Sequence, residues 1–249
     1  GSLDAGVHAP HLPASARVPL ALVLDIESCP MPHAPDTSQS FGHSRGMKFP
    51  DDPAILRPRL RKSLRRNAYE NKETEAALRV VREGDRVIEL GAGLGYMSTL
   101  VASKRKIDCV HSFEANPGLI PYIHRVHAAN GLGNTHVHHA ILGAESGTVD
   151  FHVRENILSS SMARFEGEDP PETHQIEVRA ADAVFAEIKP TVLLCDIEGA
   201  EADLIPLLDL SYLRAAVLEL HPQWSRPEGG RRERRARERA ARWRRGPTR

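Results

Sequence analysis

The chain has 249 residues, 41% of them hydrophobic, enough to bury one substantial core and ordinary for a single α/β domain. Its formal net charge of zero is unevenly divided: residues 226–249 hold eleven Arg against three Glu, so this stretch carries +8 and the remainder −8. Cys29, Cys109 and Cys195 are odd in number and widely spaced, which favours reduced, buried thiols over a disulfide framework or a zinc site. The apolar run Pro19 to Leu24 is too short for a signal sequence or a membrane span, so a soluble, cytoplasmic protein is expected.

Residues 1–53 are rich in Pro, His and Ser and read as an irregular leader. Residues 55–66 and 67–81 read as helical, with Leu56, Leu60, Leu64 and then Ala76, Ala77 and Val80 spaced for one face. From residue 84 strands and helices alternate. RVIEL is a strand, the glycine-rich GAGLG leads into a helix through Ser103, IDCVHSF is a second strand, and a helix runs from Pro117 to about Ala129 before the strand THVHHAIL. Two alternating segments, TVDFHVR and QIEVRA, then flank a polar loop and read as an antiparallel addition within 147–180. Asp182 is placed to cap a short helix, TVLLCD is the next strand, residues 200–208 are helical and RAAVLEL is the last clear strand. Such alternation implies a mostly parallel α/β sheet with helices on both faces and ligands at the carboxyl ends of its strands. The domain is expected at 54–222, followed by an Arg-rich tail at 223–249.

Glu89-Leu90-Gly91-Ala92-Gly93-Leu94-Gly95 lies between a strand and a helix, where glycines permit a tight turn and a close approach of ligand to backbone. A dinucleotide fingerprint starting at Gly91 requires glycine at 96, where this chain has Tyr96, so an NAD-dependent oxidoreductase is disfavoured. The second strand ends at Glu114, nineteen residues after Gly95. An acid there can accept both ribose hydroxyls of a nucleoside-containing cofactor.

With these residues in place, the sequence resembles the S-adenosylmethionine-dependent methyltransferases of the Rossmann-like class, and more closely the FkbM-type family. The resemblance rests on Tyr69-Glu70 followed by Glu73, on GDRVIELGAGLGYMS, FEANP, CDIEGAE and LELHP, and spans about residues 67–222. It implies a Rossmann-like fold and methyl transfer from S-adenosyl-L-methionine to a hydroxyl of a sugar, glycolipid or small metabolite. It also implies that Glu89, Gly91, Gly93 and Gly95 line the methionine part of the cofactor, that Glu114 takes the ribose, and that Tyr69-Glu70 closes over it. The family's sheet continues beyond the element matching LELHP, whereas nothing strand-like follows here, so its terminal strands are expected to be missing.

A hydroxyl acceptor must lose its proton as it attacks, and a carboxylate or imidazole at the strand-end rim can take it. Asp196, at the end of the fourth parallel strand, is the first candidate for base and also borders the cofactor. His221, two residues from Glu219 and on the same side of the last strand, competes with it. Glu198 serves equally as a catalytic candidate and as a helix-start acid; for Glu201 and Asp203 a helical role leads. A magnesium site among these acids ranks lower, and the histidines from His111 to His139 lack a closed ligand spacing, so no metal is expected. The polar loop, with Asn156 and Ser159 to Ser161, is a candidate acceptor lid. Two other functions stay open: an RNA methyltransferase that uses the Arg-rich tail, and a non-catalytic cofactor-binding module of the same fold. Nucleic acid is the less favoured partner, because CDIEGAE lacks the Asn/Asp-Pro-Pro-aromatic element of base methylation.

Overall fold

The structure, a computed structural model, describes residues 40–153, 172–197 and 200–219. Cys29, Asn156, Ser159 to Ser161, Glu198, His221, the leader to residue 39 and the tail therefore lie outside the described residues.

The first elements occupy part of the expected leader. β1 (Phe41–Ser44) and β2 (Met47–Pro50) form an antiparallel hairpin with Ser44 opposite Met47. The two turn residues, Arg45 and Gly46, have φ of 49° and 80°, the left-handed pair that matches strand twist in a two-residue hairpin. Met47 and Phe49 alternate inward and are buried at 1% and 0% exposure, so this segment belongs to the core. Its outer edge is tied down by Asn130, whose amide accepts from Lys48 N–H at 2.9 Å and donates to Lys48 C=O at 2.7 Å. The irregular reading of residues 41–50 is corrected accordingly.

α1 (Pro58–Arg65) and α2 (Asn71–Val80) follow, shorter than the sequence pattern but on the expected face, with Leu56, Leu64 and Ala77 buried. The sheet is then built from β3 (Arg86–Leu90), β4 (Cys109–Glu114), β5 (Thr135–Gly143), β6 (Gly147–Val153), β7 (Glu172–Ala180), β8 (Val192–Cys195) and β9 (Ala215–Leu218). The connecting helices are α3 (Tyr96–Lys104), α4 (Ile120–Ala129), α5 (Ala181–Ile188) and α6 (Glu201–Leu204), with 3-10 turns at Ile205–Leu207 and Leu210–Tyr212. The spatial order is β6-β7-β5-β4-β3-β8-β9, and every described pairing is parallel except β6 with β7. This is the expected Rossmann-like α/β sheet. The antiparallel addition is one strand, β6, because β7 joins β5 in parallel register. Asp182 lies in the first turn of α5 rather than at its cap, which is Ala180 and carries no side-chain cap bond.

Successive residues of the central strands serve opposite faces, which is why these strands read as continuous apolar runs. Val87, Val192 and Leu194 pack under α3 and α4 with Leu100, Val101, Tyr122 and Ile123, while Ile88, Leu90, Leu193 and Cys195 pack with Phe185, Leu204 and Leu208 on the other side. The chain leaves β3 toward the α3 face and leaves β8 toward the α6 face. A crevice therefore opens between the carboxyl ends of these two neighbours, where an open α/β sheet binds its ligands. Among the described residues no helix is long and apolar enough to cross a membrane.

Candidate active site

The loops after β3 and β8 touch at their first residues. Gly91 has φ +83°, and a Cβ there would overlap the carbonyl oxygen of Asp196, so only glycine lets the two strand ends close together. The Asp196 N–H donates to Leu90 C=O at 3.0 Å, continuing the β3–β8 pairing one residue beyond the strand. Gly93, at φ +53°, differs: a Cβ there would meet nothing within 4 Å, so the loop faces open space at that point. Gly95 is the N-cap of α3 and lies against Ile123 of α4.

Because Gly95 has no side chain to cap α3, a neighbouring strand supplies the acceptor. Glu89 on β3, 2% exposed, accepts the Ser98 N–H through Oε1 at 3.0 Å. Its second oxygen, Oε2, is buried with no hydrogen-bond partner among the described residues. Burial pushes the Glu89 carboxyl up to about 7, against the nearby hydroxyls of Ser112 and Ser98 and the Ser98 N–H. Ser112, its register partner on β4, sets its buried hydroxyl beside this carboxylate without reaching hydrogen-bond geometry.

Glu70 enters from the opposite side of the crevice. It is the N-cap of α2 in the left-handed region, φ 43°, a conformation that is costly for a side chain bearing a Cβ. Burial pushes its carboxyl up to about 8; the Tyr69 hydroxyl opposes this, and the charges of Asp196, Glu89 and Glu73 add to it. Tyr69 is braced edge-on against Tyr96 at 5.1 Å between ring centroids, and Tyr96 stacks on Phe49 of the hairpin at 5.6 Å. The corrected leader segment thus supports the wall that carries Glu70.

The cleft is lined by Glu70, Glu73, Glu89, Asp196 and Glu219 together with Gly91, Met97 and Val217, and no Lys, Arg or His lines it among the described residues. The structure therefore brings together four residues singled out from sequence: Glu70, Glu89, Gly91 and Asp196. Glu73 and Glu219 join them without having been assigned a role. Their signals were present, since Glu73 lies one helical turn from Glu70 and Glu219 closes the last strand, but convergence on one cleft requires the fold. Gly93, Gly95 and Glu114 stand outside this lining. Glu114, 8% exposed and pushed up by burial, accepts the Asn116 N–H through Oε1 at 2.7 Å and the Gly93 N–H through Oε2 at 2.8 Å. The Ala115 N–H also bonds this carboxylate, which leaves about one of its roughly four acceptor positions. Glu201 is buried, and its Oε1 accepts the Ile197 N–H at 3.2 Å, which closes the turn after β8 and accounts for one of the clustered acids structurally.

The chemistry of the cleft follows from this inventory. Two backbone donors of the glycine loop and helix start are already engaged by carboxylates, Gly93 N–H by Glu114 and Ser98 N–H by Glu89, and five carboxylates line the space. A phosphate-rich dinucleotide is opposed there, in agreement with Tyr96 at the third fingerprint position. A ligand with positive charge and few phosphates is favoured, because it would offset the burial and the smaller repulsion that raise Glu70 and would give Glu89 Oε2 a partner.

The histidines form a separate feature. His111, His136 and His138 stack across β4 and β5, with centroids 4.5 Å apart for His111 and His136 and 5.3 Å for His111 and His138. His111 and His138 also share a ring-nitrogen hydrogen bond of 3.0 Å, and burial holds both down at about 4. Among the described residues no group of three or more His, Cys, Asp or Glu is placed to hold a metal ion.

No protein-family model matches the chain. No curated protein matches it in sequence. Solved structures similar to it include wild-type Trm5b from Pyrococcus abyssi, at 15% identity and TM-score 0.44, covering 84% of this chain and 48% of that one. The precorrin-6y C5,15-methyltransferase from Geobacter metallireducens is similar at 13% identity and TM-score 0.41, covering 69% of each chain. The PRMT1 enzyme–prozyme complex of Trypanosoma brucei, with AdoHcy, is similar at 15% identity and TM-score 0.35, covering 63% of this chain and 39% of that one. The chain spans less than half the length of the Pyrococcus and Trypanosoma proteins.

Proposed function

We propose that the chain is a cytoplasmic S-adenosylmethionine-dependent methyltransferase of the FkbM type, acting on a hydroxyl of a sugar, glycolipid or small metabolite. The observation that carries the cofactor reading is the cleft of five carboxylates at the ends of β3 and β8, with no cation lining it and no hydrogen-bond partner for the buried Glu89 Oε2 among the described residues. When bound, the cofactor supplies a methyl group on a positively charged sulfur, beside an ammonium group. Glu89 and Glu70 would hold the positive charge, the open side of Gly93 would allow a close approach, and Glu114, through its remaining acceptor position, would serve the ribose.

For the transfer itself the protein's work is positional. Holding an acceptor oxygen in line can contribute about 7–11 kcal/mol of barrier reduction, and a positioned base adds about 10²–10⁴-fold. Asp196 is assigned that base: it lines the cleft where the β3 and β8 loops meet, and its carboxylate takes the proton of the acceptor hydroxyl. Glu198 and His221, outside the described residues, are the competing candidates.

Calorimetric titration with S-adenosylmethionine at pH 7.5 tests the reading, with one-to-one binding expected; absence of binding removes the cofactor. Asp196→Asn is then expected to lower turnover of a radiolabelled methyl group by at least about 10²-fold, with cofactor affinity reduced far less. Unchanged turnover would transfer the role of base elsewhere. Binding with no methylated product from a panel of hydroxyl compounds would select the non-catalytic module instead.

A further inference from the structure

The segment that leads into the cleft wall has the opposite charge from the cleft. Residues 53–69 hold six basic side chains, Arg57, Arg59, Arg61, Lys62, Arg65 and Arg66, and no acidic one, within a body that is otherwise net acidic. Arg61 is ion-paired with Asp51. Arg59, Lys62, Arg65 and Arg66 are exposed and make no ion pair among the described residues. At about 100° per residue these four fall on one side of α1, opposite Leu60 and Leu64, so the helix turns its apolar side to the core and a purely cationic side to solvent.

A solvated helix surface ordinarily mixes signs at i,i+4 spacing, and α1 does not. Lys62 and Arg65, in the last turn, are favoured by the helix dipole. Arg59 lies in the first turn, where positive charge is disfavoured and where α1 has no acid to offset it. An external anion would satisfy it. From Arg59 to Arg66 the rise is about 10 Å, so the four cations outnumber what one phosphate group can engage and fit negative charge repeated along a chain. A bilayer fits less well: α1 commits its apolar side to the core, and the only exposed large hydrophobic among the described residues is Leu207. Arg66 is four residues from Glu70, and so within about 14 Å of the cleft wall.

We propose that the cationic side of α1, formed by Arg59, Lys62, Arg65 and Arg66, binds the phosphate backbone of a nucleic acid at the edge of the carboxylate cleft. No exposed aromatic accompanies the patch, so the contact is to backbone charge and carries no base preference. The proposal does not depend on the methyl-transfer reading, because it concerns binding alone.

Fluorescence anisotropy of a labelled 20-nucleotide RNA, measured with the whole chain between 50 and 200 mM salt, tests it. Because residues 226–249 are themselves Arg-rich, the comparison is between the wild-type chain and the quadruple variant Arg59→Gln, Lys62→Gln, Arg65→Gln, Arg66→Gln, with circular dichroism and cofactor calorimetry confirming that the variant folds. The expected result is at least a tenfold loss of affinity and a log–log salt slope shallower by about 3, from about 0.7 per phosphate contact. No RNA binding by the wild type, or an unchanged affinity and slope in the variant, overturns the proposal. So does binding to phosphatidylserine vesicles in place of RNA. Cofactor binding is read in the same samples, so failure here leaves the cofactor reading standing, and the reverse.

Discussion

The two ends of β3 carry buried acids in opposite condition. At the amino end, Asp85 is 5% exposed and fully served: Oδ1 accepts the Thr191 hydroxyl at 2.8 Å, and Oδ2 accepts the Arg82 N–H at 2.6 Å and is ion-paired with Arg214. At the carboxyl end, Glu89 is also buried, yet one oxygen has no hydrogen-bond partner among the described residues and burial pushes its carboxyl up to about 7. Leaving a buried acceptor unsatisfied costs about 1–3 kcal/mol. One rim of the sheet is thus closed by its own chain, and the other is held in a state that a positively charged ligand would complete.

The largest test of this contrast is at the glycine loop. Gly91→Ala places a Cβ on the Asp196 carbonyl in a left-handed backbone, and αL strain with overpacking is expected to destabilise the protein by about 3 kcal/mol in urea unfolding. Gly93→Ala meets no atom within 4 Å and should cost only the αL term of about 1 kcal/mol, while weakening S-adenosylmethionine binding because its methyl points into open space. Equal destabilisation by the two would show that the loops after β3 and β8 do not meet as described.

Substituting the acids themselves should give effects of opposite sign. Asp85→Ala removes the acceptor shared by Thr191, Arg82 and Arg214 and is expected to cost about 2–3 kcal/mol, with cofactor affinity unaltered. Glu89→Gln keeps the oxygen that caps α3 and removes the poorly solvated charge. Above pH 7 it should stabilise the ligand-free protein by about 1 kcal/mol and lower cofactor affinity at least tenfold, read by calorimetry. Loss of stability in Glu89→Gln would place this carboxyl with the structural acids.

How far these features were legible in the chain depends on the range of the contacts behind them. The central strands were legible because burial on both faces leaves continuous apolar runs such as RVIEL and TVLLC, and the glycine loop because a strand-to-helix turn demands those residues locally. The hairpin was not. Its strands are four residues each, His43 and Lys48 face outward, Gly46 is the sole turn signal, and its edge is completed by Asn130, 82 residues from Lys48. The carboxylate cluster was half legible. Asp196 and Glu89 follow from strand ends, but Glu73 and Glu219 reach the same cleft only because α2 packs across α3 and β9. Glu114 shows the limit of spacing arguments: its position at the end of β4 was read correctly, while the backbone N–H groups it accepts are set by how the loops on either side fold back.

The smallest expected effect is the dependence of stability on solvent pH. His111, His127 and His138 are held down at about 4 by burial, so between pH 4 and 6.5 the unfolded chain binds more protons than the folded one and stability rises with pH. Glu70 and Glu89 are raised to about 8 and 7, so their contribution is whole below about 4.5 and is lost as pH climbs through those values. The two sets oppose each other up to 6.5, and above it only the acids still titrate. Thermal unfolding of the ligand-free protein should therefore reach its maximum near pH 6.5 and decline toward pH 8. Added S-adenosylmethionine should give a larger stabilisation at pH 8 than at pH 6, because the carboxylates it would neutralise are then ionised. In Glu89→Gln the decline above pH 6.5 should shrink without vanishing, since Glu70 remains. A decline of full size in that variant would assign the whole effect to Glu70 and detach Glu89 from the cost of keeping this rim open.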